Sequence, residues 1–213
     1  MHKPLGPRLS LKVIAGGPGP GSVEVVRSAL RGGATAIQLR WKHATTRELI
    51  ELGKGFRALT EAAGALLIIN DRVDVAIAAG ADGAHLGDDD LPVPVARRIV
   101  PPEFVLGRSV DTVEEARAAE TLGADYVGLG PIFPTASKSD TGPVVGVAGI
   151  PAFTSVLRIP VVAIGGIDAR SAAAVIEAGA GGVAVITAVS GSPDPEGAAR
   201  TLISEIERGR GRR

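Results

Sequence analysis

Three residues at the end of a short apolar run have the types and spacing that an anion site requires. Gln38, Arg40 and Lys42 follow the run at 35–37. Such runs are typical of buried parallel strands, and residues two apart on a strand share one face. We therefore expect the three side chains to point the same way. The fork of an Arg and the point charge of a Lys suit phosphate oxygens, and pairing with internal carboxylates is the alternative.

A second group of polar residues offers oxygen ligands for a hard metal ion. Asn70 and Asp71 end the next apolar run, and three consecutive Asp residues follow the one after it. Mg²⁺ is held by one or two carboxylates together with substrate phosphates and waters. Asp71 with Asp90 suits that role. Asp88 or Asp89 is an equal candidate, and a solvated helix start is the alternative.

Further along the chain, hydroxyl and Lys residues stand where strands give way to loops. Ser109 ends the predicted fifth strand, and Thr135, Ser137 and Lys138 lie on the longest polar loop. Two hydroxyls and a Lys on such a loop can grip phosphate and close over it, whereas an ordinary mobile loop is the alternative. The length of this loop, in a chain of otherwise short connections, favours function.

The last two predicted strands end in residues that suit a phosphate. Gly165 and Gly166 follow the seventh strand, and Ile186 and Thr187 follow the eighth. Glycine backbone N–H groups can wrap a phosphate, and these two loops form the recurrent phosphate site of barrel enzymes. His85, inside the fourth strand, is interpreted as a core residue, with the orientation of a ligand as the alternative.

Alternating apolar segments place these residues on one scaffold. Strands are predicted at 11–15, 35–39, 66–69, 83–86, 104–107, 125–129, 160–164 and 182–186. Helices are predicted at 22–32, 46–63, 73–79, 93–99, 112–122, 148–156, 169–178 and 195–208. Similar Gly-Ala turns recur before the strands at 35, 83, 125 and 182. The pattern predicts an α/β protein, a single-domain (β/α)₈ TIM barrel, with an open doubly wound sheet as the alternative.

Composition narrows the class of protein. The 213 residues are enough for one domain over 1–213, with flexible tails expected at 1–8 and 209–213. A formal net charge of +0 gives no indication of bulk nucleic-acid binding. The chain has no Cys, lacks an apolar run of the ~20 residues that a membrane span needs, and begins without a signal-peptide pattern. We therefore expect a cytoplasmic protein with no membrane partner, and homo-oligomerisation is left open.

Together these residues predict two anion sites at the carboxyl ends of the strands. One is a cationic, metal-assisted site at the second to fourth strands, which suits a pyrophosphate. The other is a Gly-rich cradle for a monophosphate at the seventh and eighth strands. The pattern therefore favours an enzyme in which one substrate loses pyrophosphate while a second, phosphorylated substrate attacks.

From about residue 35 to residue 190, the sequence resembles the thiamine-phosphate synthase (thiamin-phosphate pyrophosphorylase) family. The matching motifs are Gln38-Leu39-Arg40-x-Lys42, Ile69-Asn70-Asp71-Arg72, Asp82-Gly83-Ala84-His85-Leu86-Gly87 with Asp90, Gly107-x-Ser109, Gly130-Pro131-Ile132-Phe133-Pro134-Thr135 with Lys138, and Ala163-Ile164-Gly165-Gly166-Ile167. The resemblance implies a transferase that joins 4-amino-5-hydroxymethyl-2-methylpyrimidine diphosphate to 4-methyl-5-(2-phosphoethyl)thiazole. The implied products are thiamine phosphate and diphosphate, formed by a Mg²⁺-assisted dissociative displacement.

The resemblance also implies roles for individual residues. Asp71 and Asp90 match the Mg²⁺ ligands. Contacts to the pyrimidine diphosphate match Gln38, Arg40, Lys42, Asn70, Ser109 and Lys138, of which Arg40, Lys42, Ser109 and Lys138 are expected to be catalytic. Contacts to the thiazole phosphate match Thr135, Ser137, Gly166, Ile186 and Thr187.

The chain departs from the family pattern at two places that bear on the site. Trp41 stands where the family usually has Glu, and we expect it to point away from the site, toward the helices. Gly16-Gly17-Pro18 replaces the usual polar end of the first strand. The competing functions are a related thiazole tautomerase, which does not need the diphosphate and metal residues, and a non-catalytic barrel that binds a phosphorylated metabolite.

Overall fold

The computed structural model describes residues 4–18, 21–135 and 143–212 and shows a closed barrel of eight parallel strands. The strands pair in chain order, and the last pairs with the first. They are β1 (Leu11–Ala15), β2 (Ala36–Leu39), β3 (Leu66–Asn70), β4 (Gly83–Leu86), β5 (Val105–Val110), β6 (Tyr126–Leu129), β7 (Val161–Ile164) and β8 (Gly182–Val185). The predicted (β/α)₈ barrel is confirmed, and each strand overlaps its predicted range.

The helices form the outer layer. In the described residues they are α1 (Leu5–Arg8), α2 (Gly21–Arg31), α3 (Thr46–Ala63), α4 (Val73–Ala78), α5 (Val93–Ile99), α6 (Val113–Thr121), α7 (Ile150–Thr154), α8 (Ala172–Glu177), α9 (Thr187–Ser190) and α10 (Pro195–Arg210). A 3₁₀ turn at Val147–Gly149 precedes α7. The sequence did not predict α1 and α9, because helices of 4 residues are too short to show a helical period.

Local capping explains why some helix boundaries are sharp. Thr45 and Glu48 form a capping box at the start of α3, in which each side chain bonds the backbone N–H of the other residue. Thr112 and Glu115 form the same box at the start of α6. Gly64 ends α3 in the left-handed conformation that glycine adopts without strain.

Two apolar cores hold the barrel together. The larger lies between the strands and the helices. The smaller fills the barrel interior with Leu9, Ile14, Ala36, Leu66, Ile68, Val105, Tyr126, Val162 and Ala184. Lys12, Gln38 and His85 are buried polar side chains on the strands, with relative exposures of 2%, 2% and 9%. Gln38 belongs to the candidate site and His85 was interpreted as a core residue, whereas no role was predicted for Lys12 from the sequence.

Both ends of the described chain lie at the amino ends of the strands. In α1, Leu5 packs against the interior core. In α10, the Arg210 guanidinium donates to the Ser10 hydroxyl (2.6 Å) and the Gly181 carbonyl (3.3 Å). Flexible tails were expected over 1–8 and 209–213; within these ranges, residues 5–8 and 209–210 are helical.

Within the described residues, no helix combines the length and apolar character that a bilayer crossing requires.

Candidate active site

Three side chains at the carboxyl ends of β2 and β3 form a hydrogen-bonded chain. The Gln38 Nε2–H donates to Asn70 Oδ1 at 2.7 Å, and the Asn70 Nδ2–H donates to Asp71 Oδ2 at 2.9 Å. The register that pairs Gln38 with Ile68 across β2 and β3 brings these residues together. Each side chain is therefore oriented by its neighbour, and the second Asp71 oxygen is left for a ligand.

Among the described residues, the Gln38 Oε1 is the one buried side-chain oxygen or nitrogen without a hydrogen-bond partner. Leaving a buried acceptor unsatisfied costs about 1–3 kcal/mol. Buried polar atoms without partners are rare in folded proteins, and each calls for an explanation. At the mouth of a barrel, the direct explanation is a ligand that brings an N–H or O–H donor.

Asp71 has an unusual backbone conformation and a carboxyl group with a raised pKa. Its backbone φ is 62°, in the left-handed region, and its N–H donates to the His85 carbonyl at 2.8 Å. Burial raises the pKa of the Asp71 carboxyl, and the charge of Asp90 adds to the rise, whereas the Asn70 hydrogen bond and the nearby Arg side chains oppose it. The two carboxylates thus repel each other, and a cation between them would relieve the repulsion.

Asp90 and Asp88 have different surroundings. The Asp90 Oδ2 accepts from the Gly87 N–H at 2.5 Å. Asp88 instead forms an ion pair with Arg108 at 2.5 Å. Asp89 is exposed. Of the three consecutive acids, Asp90 is the one whose charge acts on Asp71.

No group of three or more His, Asp or Glu side chains suited to a metal occurs in the part of the chain that the structure describes. Asp71 and Asp90 therefore supply at most two carboxylates. A Zn²⁺ site needs three or four protein ligands, but Mg²⁺ accepts one or two carboxylates when substrate phosphates and waters complete its shell. The donor set fits Mg²⁺ that arrives with a phosphorylated substrate.

Arg40 faces a cavity of about 540 Å³ at the carboxyl ends of β1, β2 and β8. Lys42, two residues further along the chain, is exposed. Trp41 packs against the core between strands and helices, so it points away from the site, as expected. The cavity is lined by Ile14, Ala15, Gly16, Gly17, Pro18, Gly21, Ser22, Val25, Arg40, Ile186, Thr187 and Ser190.

The sequence reasoning missed part of this cavity wall. Ser22 and Ser190 were not among the candidates, and the Gly16-Gly17-Pro18 turn was noted only as a departure. The Ser190 hydroxyl donates to the Ile14 carbonyl at 3.3 Å, across 176 residues of chain. Only the closure of β8 onto β1 brings these residues together, so no local sequence signal could have found them.

Ser109 lies within β5, because this strand ends at Val110, three residues past its predicted end at 107. Its hydroxyl lies 3.1 Å from His85 Nε2, and His85 Nδ1 lies 3.0 Å from the Tyr126 hydroxyl. His85 was interpreted as a core residue. It is buried, and it also touches a candidate site residue.

The residues predicted for the monophosphate site are only partly described. The backbone φ is 100° at Gly165 and 65° at Gly166, and a Cβ on Gly166 would lie 2.8 Å from the Pro134 carbonyl oxygen. Thr187 begins α9, Ile186 precedes it, and both line the cavity beside Arg40. Thr135 is the last described residue before the gap in this loop. Ser137 and Lys138 lie outside the described residues.

Comparison with known proteins gives a consistent result. The family model for thiamine monophosphate synthase matches residues 16–189. A thiamine-phosphate synthase of Moorella thermoacetica is 53% identical over 196 residues, covering 92% of this chain and 93% of the relative. A bifunctional thiamine biosynthesis protein (ThiM/ThiE) of Symbiobacterium thermophilum is 47% identical over 98% of this chain, which spans 43% of that protein.

A solved structure supports the same assignment. The thiamine phosphate pyrophosphorylase of Pyrococcus furiosus superposes with a TM-score of 0.88 at 45% identity. The match covers 96% of this chain and 98% of that one. Sequence, fold and the polar residues at the strand ends agree, and this chain belongs to the thiamine monophosphate synthase family.

Proposed function

We propose that this chain joins 4-amino-5-hydroxymethyl-2-methylpyrimidine diphosphate to thiazole phosphate, releasing diphosphate and thiamine phosphate, with Mg²⁺ held by Asp71 and Asp90. Membership of the family supports the reaction. The observation that carries the site assignment is the hydrogen-bonded chain from Gln38 through Asn70 to Asp71. At one end of this hydrogen-bonded chain the Gln38 Oε1 has no hydrogen-bond donor within the described ranges, and at the other end stands the Asp71 carboxylate. A ligand with an amino group near a metal-bound diphosphate matches both ends.

The buried Gln38 Oε1 suits the pyrimidine. The amino group of an aminopyrimidine donates N–H hydrogen bonds, which this acceptor lacks among the described residues. Because the amide is fixed by its bond to Asn70, the ring would be oriented as soon as it enters. Orientation of this kind contributes strongly when two substrates must meet.

Arg40 and Lys42 suit the diphosphate. Their N–H groups would donate to oxygens that gain negative charge as the bond to the methylene carbon breaks. Asp71 and Asp90 would hold Mg²⁺ here, and a bound ion would supply further neutralisation of that charge. Donors placed where charge develops stabilise the transition state more than the bound substrate.

The bond changes need no protein nucleophile. The C–O bond between the methylene carbon and the diphosphate breaks, and its electron pair leaves with the diphosphate. The lone pair of the thiazole nitrogen then forms the new C–N bond, which places a positive charge on the thiazolium ring. No proton is transferred in this exchange, which agrees with a site composed of binding and charged groups.

The second substrate would bind at the ends of β7 and β8. Backbone N–H groups at Gly165 and Gly166, together with the Thr187 hydroxyl, suit a phosphate monoester. Thr135, Ser137 and Lys138 are proposed to complete this part of the site from the β6 loop. The cavity beside Ile186 then lies between this phosphate and Arg40.

The direct test is formation of thiamine phosphate from the two phosphorylated precursors, with Mg²⁺ and again with EDTA. We expect product with Mg²⁺ and at most traces with EDTA. Full turnover in EDTA would contradict the metal assignment. Isomerisation of a thiazole carboxylate phosphate without any condensation would favour the tautomerase alternative.

Mg²⁺ binding is expected to depend on diphosphate, because two carboxylates alone form an incomplete shell. Isothermal titration calorimetry of the protein with Mg²⁺ alone should give a dissociation constant of about 1 mM or higher. Titration in the presence of inorganic diphosphate should show binding at least about tenfold tighter. Equal affinities in the two titrations would contradict a shared metal and diphosphate site.

Substitution of Gly16 by Ala is expected to lower kcat/KM by about 10- to 100-fold. A Cβ at this position would lie 2.5 Å from the Arg40 carbonyl oxygen, so the backbone that carries Arg40 must shift. Displacements near 1 Å can cost about 100-fold in rate. Gly21→Ala is the matched control, because Gly21 lines the same cavity and a Cβ there meets nothing within 4 Å. Equal activity of the two variants would contradict the role of Arg40.

A further inference from the structure

A row of hydrogen-bonded polar side chains crosses the barrel interior from β1 to β5. The Lys12 Nζ donates to the Tyr126 hydroxyl at 3.2 Å. The same hydroxyl lies 3.0 Å from His85 Nδ1, and His85 Nε2 lies 3.1 Å from the Ser109 hydroxyl oxygen. The row thus connects the buried amine of Lys12 to a residue of the proposed diphosphate site.

Glycines on β5 and β6 make room for this row. A Cβ on Gly107 would lie 2.1 Å from the Tyr126 ring and 2.5 Å from His85 Nδ1. A Cβ on Gly128 would lie 3.0 Å from the His85 ring. The His85 and Tyr126 rings stack with their centroids 5.4 Å apart. The packing therefore holds the contacts of His85 and Tyr126 in place.

Burial of the Lys12 amine is energetically unfavourable. Lys12 is 2% exposed, and among the described residues it forms no ion pair with a carboxylate. Its Nζ lies 4.8 Å from the centre of the Tyr126 ring, so the ring face and the phenol oxygen are its polar surroundings. Burial lowers the pKa of Lys12 to about 7. A charged group buried in an apolar interior is expected mainly at functional sites.

A protonated Lys12 amine determines which partner donates in each hydrogen bond of the row. An ammonium group has three N–H donors and no acceptor, so it can only donate to the Tyr126 oxygen. The Tyr126 O–H is then directed to His85 Nδ1, which places the imidazole proton on Nε2. That proton is donated to the Ser109 oxygen, and the Ser109 O–H is left to donate to a bound ligand.

We propose that Lys12 is a positioning residue for the reaction, acting through Tyr126 and His85 so that the Ser109 hydroxyl donates its hydrogen to the departing diphosphate. The inference rests on the proposed function, because it assigns Ser109 to the diphosphate. A hydroxyl that already accepts one hydrogen bond is a stronger donor in the next. Without the first donor, Ser109 can turn its hydrogen to His85 instead and present a lone pair to an anion.

Lys12→Met removes the donor and keeps an unbranched apolar chain in the barrel. We expect kcat to fall about tenfold with KM changed less than about twofold, because the hydrogen bond strengthens as charge develops on the diphosphate. Tyr126→Phe keeps the ring and removes the next link, and it should give the same pattern. Thermal unfolding of each variant establishes that it is folded under the assay conditions.

A double-mutant cycle with Ser109→Ala separates this role from general packing. In the Ser109→Ala background, Lys12→Met should cause no further loss of kcat beyond about twofold, because the row then has no terminal hydroxyl to direct. An equal tenfold loss with and without Ser109 would overturn the proposal, as would a Lys12→Met variant with the kcat of the parent protein. A parent protein with no condensation activity would instead overturn the proposed function and, with it, the role of Lys12.

Discussion

Asp71→Asn is expected to lower kcat/KM for thiamine phosphate formation by about 1,000-fold or more, because the metal site loses one of its two charged ligands. Asn is the informative substitution here. The φ of 62° at Asp71 is one that Asn tolerates and Ala does not, so the backbone should be preserved. The side-chain oxygen of Asn can also still accept from Asn70. The loss is then attributable to charge rather than to a change of fold.

Asp89→Asn is the matched control. This residue stands one position before Asp90, is exposed, and carries the same charge. Its substitution should leave kcat/KM within about twofold of the parent value, since isolated surface charges contribute little. Steady-state kinetics at several Mg²⁺ concentrations measure both variants. Parent-like activity of Asp71→Asn at low Mg²⁺ would show that the metal is held elsewhere.

Lys12→Met is expected to increase the free energy of unfolding at neutral and acidic pH. Burial lowers the pKa of Lys12 from 10.5 to about 7. At about 1.4 kcal/mol for each pH unit, this difference corresponds to roughly 5 kcal/mol of lost stability as an upper figure. Met carries no charge and fills a similar volume, so the variant should recover much of this loss. The gain in stability would accompany the loss of kcat expected above.

The pH dependence of that gain follows from proton binding. Below about pH 7 the amine is protonated in both states, and folding carries the full cost of burying its charge. Between about pH 7 and 10.5 the unfolded state binds more protons, so the stability of the parent protein rises with pH. The advantage of Lys12→Met should therefore be largest below pH 7 and should shrink toward pH 10.5.

Urea unfolding of the parent protein and the variant from pH 6 to pH 10 tests this expectation. Lys54→Met serves as the control, because Lys54 lies on the surface of α3 in an exposed pair with Glu51. It should change stability by less than about 0.5 kcal/mol at every pH. If Lys12→Met were no more stable than the parent at pH 6, the amine would not be buried as the structure has it.

The fold was predictable because its signals are local. The Gly-Ala turns repeat before several strands, and the apolar runs between them are short and uniform. The range predicted for α3 coincides with the observed helix, because a capping box begins it and a left-handed glycine ends it. By contrast, β5 extends to Val110 through Arg108 and Ser109, whose polar side chains interrupt the apolar run used to predict it.

The candidate site was predictable as a set of residues but not as an arrangement. The alternation of Gln38, Arg40 and Lys42 indicates a shared face, yet nothing local indicates that Gln38 bonds to Asn70, 32 residues away. Lys12 stands in an otherwise apolar strand and gave no signal of its own. Its partner Tyr126 is 114 residues distant, and only barrel closure places the two together. Contacts of this kind depend on register and closure, which no single segment encodes.

The position of the chain ends bears on how such a barrel can be tethered to another enzyme. Residues near both ends meet beside Ser10 and Gly181, at the amino ends of the strands, and the pocket opens at the opposite ends. A linker that continued from α10 beside Arg210 would therefore start at the end of the barrel opposite the pocket. In the bifunctional relative, the segment that matches this chain is one part of a longer polypeptide, because this chain spans 43% of that protein.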